Sequence, residues 1–383
     1  MYVGDQDVDL SRPALQFLVR HGVRNVDAII GGARDAALTL GEADFREAIE
    51  TAAVEGVKLE MTHINLPESI TLAQDPQRDE DISQVCQCIE NAGRAGLRGL
   101  NYNFLVGSAY ARTPETPTTV GRGGSTYSQF DLANYDNSPP TLVNGEWSNG
   151  AGVVTREEVY ERARYFLQRV IPTAEQFNVQ LACHLNDPPA PVLRGVEQWN
   201  FPVFEGIKRF SELVDSPMHG FNFCCGTAAE GLENPALELC PIVEYFGRRK
   251  KLFNIHFRNV KGGLHDFREV WPDEGDVNMF QLAQTLHNVQ YPYMLMPDHA
   301  PSHPDENRGQ QYNSSDRTAV NYGKGSPFVF QFGYIIAIIQ AVKMRTMMAE
   351  APKQGGERAS KQEEGYEWKG WDQVRDQPII PRL

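Results

Sequence analysis

Histidine, cysteine and aspartate recur at the ends of short apolar runs along this 383-residue chain. In residues 253–260 an apolar run carries His256 and Arg258 two positions apart, so on a pleated strand both point to one face. A packed strand rarely buries two such groups together unless they meet a ligand or an ion. Pro297-Asp298-His299 ends another apolar run, and His184 and Cys224 end two more. Imidazole, thiolate and carboxylate at the ends of separate strands suit a borderline divalent ion such as Mn²⁺, Fe²⁺ or Zn²⁺. The closely spaced Cys-x-x-Cys pairs of a structural zinc site are missing. Four such groups point to an open site able to accept substrate oxygens.

The elements that must position these groups alternate. Strand-like runs begin near Met1 and recur at residues 25–30, 57–64, 97–104, 179–186, 220–226, 252–260 and 293–299. Helical runs at 42–55, 80–95, 156–177, 235–248, 277–288 and 328–347 separate them. Eight strand–helix units predict an α/β fold of the (β/α)8 TIM-barrel type, whose active face lies at the C-terminal ends of the strands. No glycine-rich dinucleotide fingerprint follows the first strand. Reading the strand ends gives Asn101, Asn103, His184, Asn186, Asp187, Cys224, His256, Arg258, Asp298 and His299. The barrel is expected over residues 1–349. A Gly-, Ser-, Thr-, Pro- and Asn-rich loop at 105–156 separates the fourth strand from its helix and reads as a lid or substrate wall. Residues 350–383 form a charged tail in which Tyr366, Trp368, Trp371, Ile379 and Ile380 offer something to bury, on the barrel or on a second subunit.

A net charge of −14, with 41% hydrophobic and 22% charged residues, fits a globular protein and disfavours nucleic-acid and membrane partners. Local cations such as Arg112, Arg122 and Arg258 still allow an anionic small substrate. No apolar run is expected to reach the roughly 20 residues that span a bilayer. Six cysteines read as reduced thiols, and the cytoplasm is the expected compartment.

Each residue alone has a plainer reading. One histidine at a strand end is more often a satisfied core group, Cys224 and Cys225 could be small buried hydrophobes, and Asp298 could cap a loop. Asp273-Glu274-Gly275-Asp276 reads as a turn with Asp276 as N-cap of the next helix. The functional reading rests on their coincidence.

Longer motifs then carry a resemblance. The chain is similar to the mannonate dehydratase family, metal-dependent enzymes on a xylose-isomerase-like barrel, over roughly residues 57–342. The matching runs are His184-Leu185-Asn186-Asp187-Pro188-Pro189, Phe223-Cys224-Cys225-Gly226-Thr227 and His256-Phe257-Arg258-Asn259-Val260. Asp273-Glu274-Gly275-Asp276-Val277-Asn278-Met279, Pro297-Asp298-His299-Ala300-Pro301 and Phe332-Gly333-Tyr334-Ile335 continue the series. Tyr102-Asn103-Phe104 and Arg112-Thr113 match more weakly. The resemblance implies Mn²⁺ or Fe²⁺ held by His184, Cys224, His256 and Asp298. It implies acid–base work by His299 and a tyrosine beyond it, Tyr322 in preference to Tyr312. Arg258, Asn103 and Arg112 would contact the substrate. The implied reaction is loss of water from D-mannonate or a related aldonate, giving 2-keto-3-deoxy-D-gluconate, in a homo-oligomer.

The chain departs from the family at Met296, where the family has an arginine before Pro-Asp-His. That departure keeps two alternatives open: a sugar isomerase or epimerase of the same barrel type, and a non-catalytic binding barrel. A barrel nuclease is a weaker third, against which the charge and the lack of a basic run both argue.

Overall fold

A computed structural model of the chain describes residues 1–34, 36–107, 118–264, 266–302 and 325–350. The strand runs fold into one parallel sheet: Asn25–Ala28, Lys58–His63, Gly99–Asn103, Gln180–His184, His219–Cys224, Leu252–His256 and Met294–Met296 follow the first strand in order. That first strand is interrupted at Gly4. Tyr2–Val3 pairs with Met294–Met296, and Asp5–Val8 pairs with Asn25–Ala28, which joins the eighth strand to the second and closes the barrel.

Hydrophobic alternation decides the layers. Phe221, Phe223 and Ile255 face outward into a core shared with the helices, while Met61, Ala182 and Phe253 form a separate apolar plug. Below the plug, Arg98 reaches Glu60, Gln180 and the carbonyl of Phe253, and stacks over Tyr293 at 4.1 Å. Helix boundaries follow local chemistry. Thr155 and Glu158 form a capping box at the start of Arg156–Phe177, and Asn178 ends that helix in the left-handed conformation, φ 55°. Pro235 opens Pro235–Arg248, where a missing N–H costs nothing.

One expectation gains detail and two need correction. The 105–156 loop is partly ordered: Thr118–Val120 and Thr126–Asp131 join Asp266–Glu269 and Val260–Gly263 in a four-stranded antiparallel sheet. Thr126 also exchanges two backbone hydrogen bonds with Ser302. Second, the apolar run at Gly325–Met347 is long and apolar enough to cross a membrane, contrary to expectation. Its Phe328, Phe332, Ile335, Ile339 and Val342 recur at helical spacing and are buried in the main core. Third, Asp276 is not an N-cap: its Oδ2 accepts from the backbone N–H of Gly262, and Asn278 caps Met279–Asn288.

The chain divides into two compact units, Met1–Met344 and Arg345–Leu383. The barrel belongs to the first; of the second, the described residues are helical and end at Glu350. The expected packing of the tail lies outside the described residues.

Candidate metal centre

Three successive barrel strands end on the side chains that converge: His184, Cys224 and His256 are the last residues of the fifth, sixth and seventh strands. The eighth ends at Met296, so Asp298 and His299 lie beyond the pleat and need not point in opposite directions. One ligand atom each from His184, Cys224, His256 and Asp298 lies within 4.8 Å of the others. His184 Nε2 is 3.2 Å from His256 Nδ1, which is 3.3 Å from Asp298 Oδ2; Cys224 Sγ is 3.5 Å from the same oxygen.

Neighbouring groups orient these atoms. His184 Nδ1 is 2.6 Å from the carbonyl oxygen of Leu185, which can only accept, so Nδ1 carries the hydrogen and the Nε2 lone pair faces the cluster. Gln6 Nε2 donates to Asp298 Oδ1 at 2.7 Å, leaving Oδ2 for the cluster. Cys224 Sγ accepts from the Thr227 N–H at 3.4 Å. Burial lowers the His184 pKa. Burial would lower His256 too, but Asp298 outweighs it and leaves His256 raised. Burial alone would raise Asp298; His299, His256 and Arg258 hold it well below the usual carboxylate range. Two nitrogens, one sulfur and one carboxylate oxygen converging in a buried pocket fit a borderline divalent cation.

Arg258, expected to contact the substrate, is 3% exposed and donates four hydrogen bonds to groups beside the cluster. Nε binds Asp298 at 3.0 Å, Nη1 binds Glu230 at 2.7 Å and Glu269 at 3.0 Å, and Nη2 binds Asp187 at 2.8 Å and Thr227 at 3.0 Å. Gly226 admits it: a Cβ there would lie 2.4 Å from Nη1.

His299 is 29% exposed at its side chain, with Nδ1 2.5 Å from Glu269 Oε1 and Nε2 3.8 Å from Asp298 Oδ1. Burial opposes its protonation, but Asp298 and Glu269 push it up to about 9. Asn103 ends the fourth strand, half-buried and in register with His184. Arg122 is exposed and paired with Asp273, 5.6 Å above the Trp271 ring. Arg112, Tyr312 and Tyr322 lie outside the described residues.

Sequence reasoning missed Gln6, Glu269, His63 and the Asp7–Arg34 pair. Glu269 shares the buried face of its strand with Phe267, an apolar-face carboxylate that alternation alone could have flagged. His63 ends the third strand and is buried, which lowers its pKa well below 6.5. Gln6 and Asp7 had no such signal. Asp7 has φ 51° in an irregular stretch of the first strand, and it pairs with Arg34 while its neighbour Gln6 reaches Asp298.

A family model for D-mannonate dehydratase (UxuA) matches residues 149–325. The mannonate dehydratase of Enterococcus faecalis is 31% identical over 268 residues, covering 63% of this chain and 72% of that protein. The mannonate dehydratase of Thermotoga maritima is 28% identical over 310 residues, covering 72% and 83%. The crystal structure of mannonate dehydratase from Streptococcus suis serotype 2 superposes with a TM-score of 0.73 at 21% identity, over 90% of this chain and 96% of that one. D-psicose 3-epimerase of Clostridium cellulolyticum H10 shares the barrel more distantly, with a TM-score of 0.54 at 10% identity over 90% and 99%.

Proposed function

Because the chain belongs to the mannonate dehydratase family, a family of hydro-lyases, we propose that it removes water from D-mannonate or a closely related aldonate to give 2-keto-3-deoxy-D-gluconate. The observation that carries the reading is the convergence of His184, Cys224, His256 and Asp298 within 4.8 Å at the active face of the barrel. In this reading those four hold Mn²⁺ or Fe²⁺, and the ion, when bound, draws negative charge onto the substrate carboxylate and so acidifies the neighbouring C–H.

The chain's own residues then have two tasks. One group takes the proton from C2 while another protonates the hydroxyl leaving C3; the enol that results takes a proton at C3 and becomes the 2-keto acid. His299 is assigned one of these proton transfers and Tyr322 the other, with Tyr312 as the competing tyrosine. Asn103 and Arg112 are assigned to the substrate. Arg258 is assigned to Asp298 instead, because its N–H groups are committed to carboxylates and Thr227. The substrate is a small sugar acid, and a homo-oligomer and a cytoplasmic location accompany the assignment.

The test is to incubate the Mn²⁺-loaded protein with a panel of hexonates and assay for 2-keto-3-deoxy acids. Product from D-mannonate or a related aldonate is expected, and His299→Asn abolishes it. Activity on aldoses or ketoses with none on any aldonate rejects dehydration.

A further inference from the structure

We propose that Glu269 is a positioning residue for His299, turning the imidazole so that Nε2 and not Nδ1 faces the four-ligand cluster. The inference rests on the assignment of a proton transfer to His299. Glu269 is 5% exposed, and its Oε1 lies 2.5 Å from His299 Nδ1. An ionised carboxylate only accepts, so the hydrogen of this contact sits on Nδ1. Nε2 is left as the nitrogen that exchanges a proton with a substrate, on the side where Asp298 Oδ1 lies 3.8 Å away.

Glu269 is itself held. Arg258 Nη1 is 3.0 Å from the same Oε1, and Arg258 Nε binds Asp298 Oδ2 at 3.0 Å. One guanidinium therefore ties the carboxylate that orients His299 to the carboxylate that faces the cluster. Both partners are tied to one sheet. Glu269 ends Asp266–Glu269, and the neighbouring strand Thr126–Asp131 is bridged at Thr126 to Ser302, three residues beyond His299. The accessory sheet built partly from the loop after the fourth strand thus sets the distance between the two side chains. Without the carboxylate, rotation about the Cβ–Cγ bond at little cost swings Nδ1 to the place of Cδ2 and Nε2 to that of Cε1, because that torsion is broad and roughly two-fold.

The experiment uses the full chain loaded with Mn²⁺, comparing wild type, Glu269→Ala and Glu269→Gln. Steady-state kinetics on the hexonate that wild type turns over, bound metal per chain and ¹⁵N-histidine spectra are measured together, with the His299 signals assigned by their loss in His299→Asn. The spectra are recorded above pH 9, where the ring has lost its second proton, and in wild type the remaining hydrogen is on Nδ1. Glu269→Ala lowers kcat by about 10- to 100-fold, the scale of lost orienting partners, with KM and metal content unchanged and an Nε2–H form of His299 appearing. Glu269→Gln, whose amide oxygen still accepts from Nδ1, restores most of kcat. Unchanged kcat in Glu269→Ala, or parallel loss of metal, KM and kcat as a merely structural role would give, overturns the proposal. If wild type turns over no hexonate, the dehydratase reading fails by itself; the spectra then decide, since an unaltered His299 tautomer in Glu269→Ala rejects the positioning role. If Glu269→Ala does not fold, Glu269→Asp takes its place, its carboxylate one methylene short of Nδ1, with the same expected and overturning results.

Discussion

Replacing Arg258 by methionine keeps most of the side-chain volume and removes the one charge shared by four buried carboxylates. Asp187, Glu230, Glu269 and Asp298 each lie within 3.0 Å of a guanidinium nitrogen, and none is more than 8% exposed at its side chain. Breaking a buried ion pair by removing one partner costs about 3–5 kcal/mol, because the other charge stays behind without compensation. For a barrel of this size that corresponds to a fall in Tm of roughly 4–7 °C. The pH dependence has a definite sign. Asp298 is held well below 3.8 in the folded wild type, so its stabilising contribution is present above that value and lost only in strong acid. In Arg258→Met that depression is lessened, although His299 and His256 remain, and protonation relieves the repulsion among the carboxylates, so the deficit is largest near neutral pH and shrinks toward pH 5. Thermal unfolding followed by circular dichroism, in chelator, at pH 7.5 and pH 5, reads both. A variant whose Tm stays within about 2 °C of wild type at pH 7.5, well short of the cost of an unpaired buried charge, refutes the argument. A deficit that grows on acidification does the same.

Metal binding is checked by thermal shift: at free Mn²⁺ about 100 times its Kd the folded state gains about 2.7 kcal/mol, and Cys224→Ala or His184→Ala abolishes the shift at that concentration. Gly226→Ala drives a methyl to 2.4 Å from Arg258 Nη1 and 2.6 Å from its Cγ. We expect it to cost about 1–3 kcal/mol in urea unfolding, since the guanidinium is pinned on every side. His219 is fully buried and displaced from 6.5 to about 4 by that burial. The unfolded chain takes up its proton first as pH falls, so stability drops between about pH 6.5 and pH 4 by about 3 kcal/mol. His219→Gln, which can still donate to the carbonyl of Phe210, flattens that part of the pH–stability curve measured by chemical denaturation.

The barrel was legible because each of its strands is a short apolar run with a separate helix after it. Arg156–Phe177 and Pro235–Arg248 could be bounded from their caps and prolines alone. His184, Cys224 and His256 stood out because a polar side chain that ends an apolar run is a local signal. The surroundings of Arg258 were not legible because its partners come from Asp187, Glu230, Glu269 and Asp298, four segments whose meeting depends on how the barrel closes. From sequence, a guanidinium facing a substrate and one surrounded by carboxylates look the same. The strands inside the loop after the fourth strand were not legible because they are short, and Thr126–Asp131 finds one of its two partners only beyond residue 260.

The hydrogen bond from Gln6 to Asp298 joins residues 292 apart. During biosynthesis the first strand of the barrel emerges well before its neighbour on the eighth-strand side, which follows nearly 300 residues later. A ribosome-bound chain stopped before that point owns three of the four ligand side chains and an open sheet with two bare edges. Long-range closure of this kind is slow and leaves such edges open to other chains. Ion capture should therefore be among the last events in maturation, and overproduction in metal-poor medium should enrich aggregated rather than merely inactive protein.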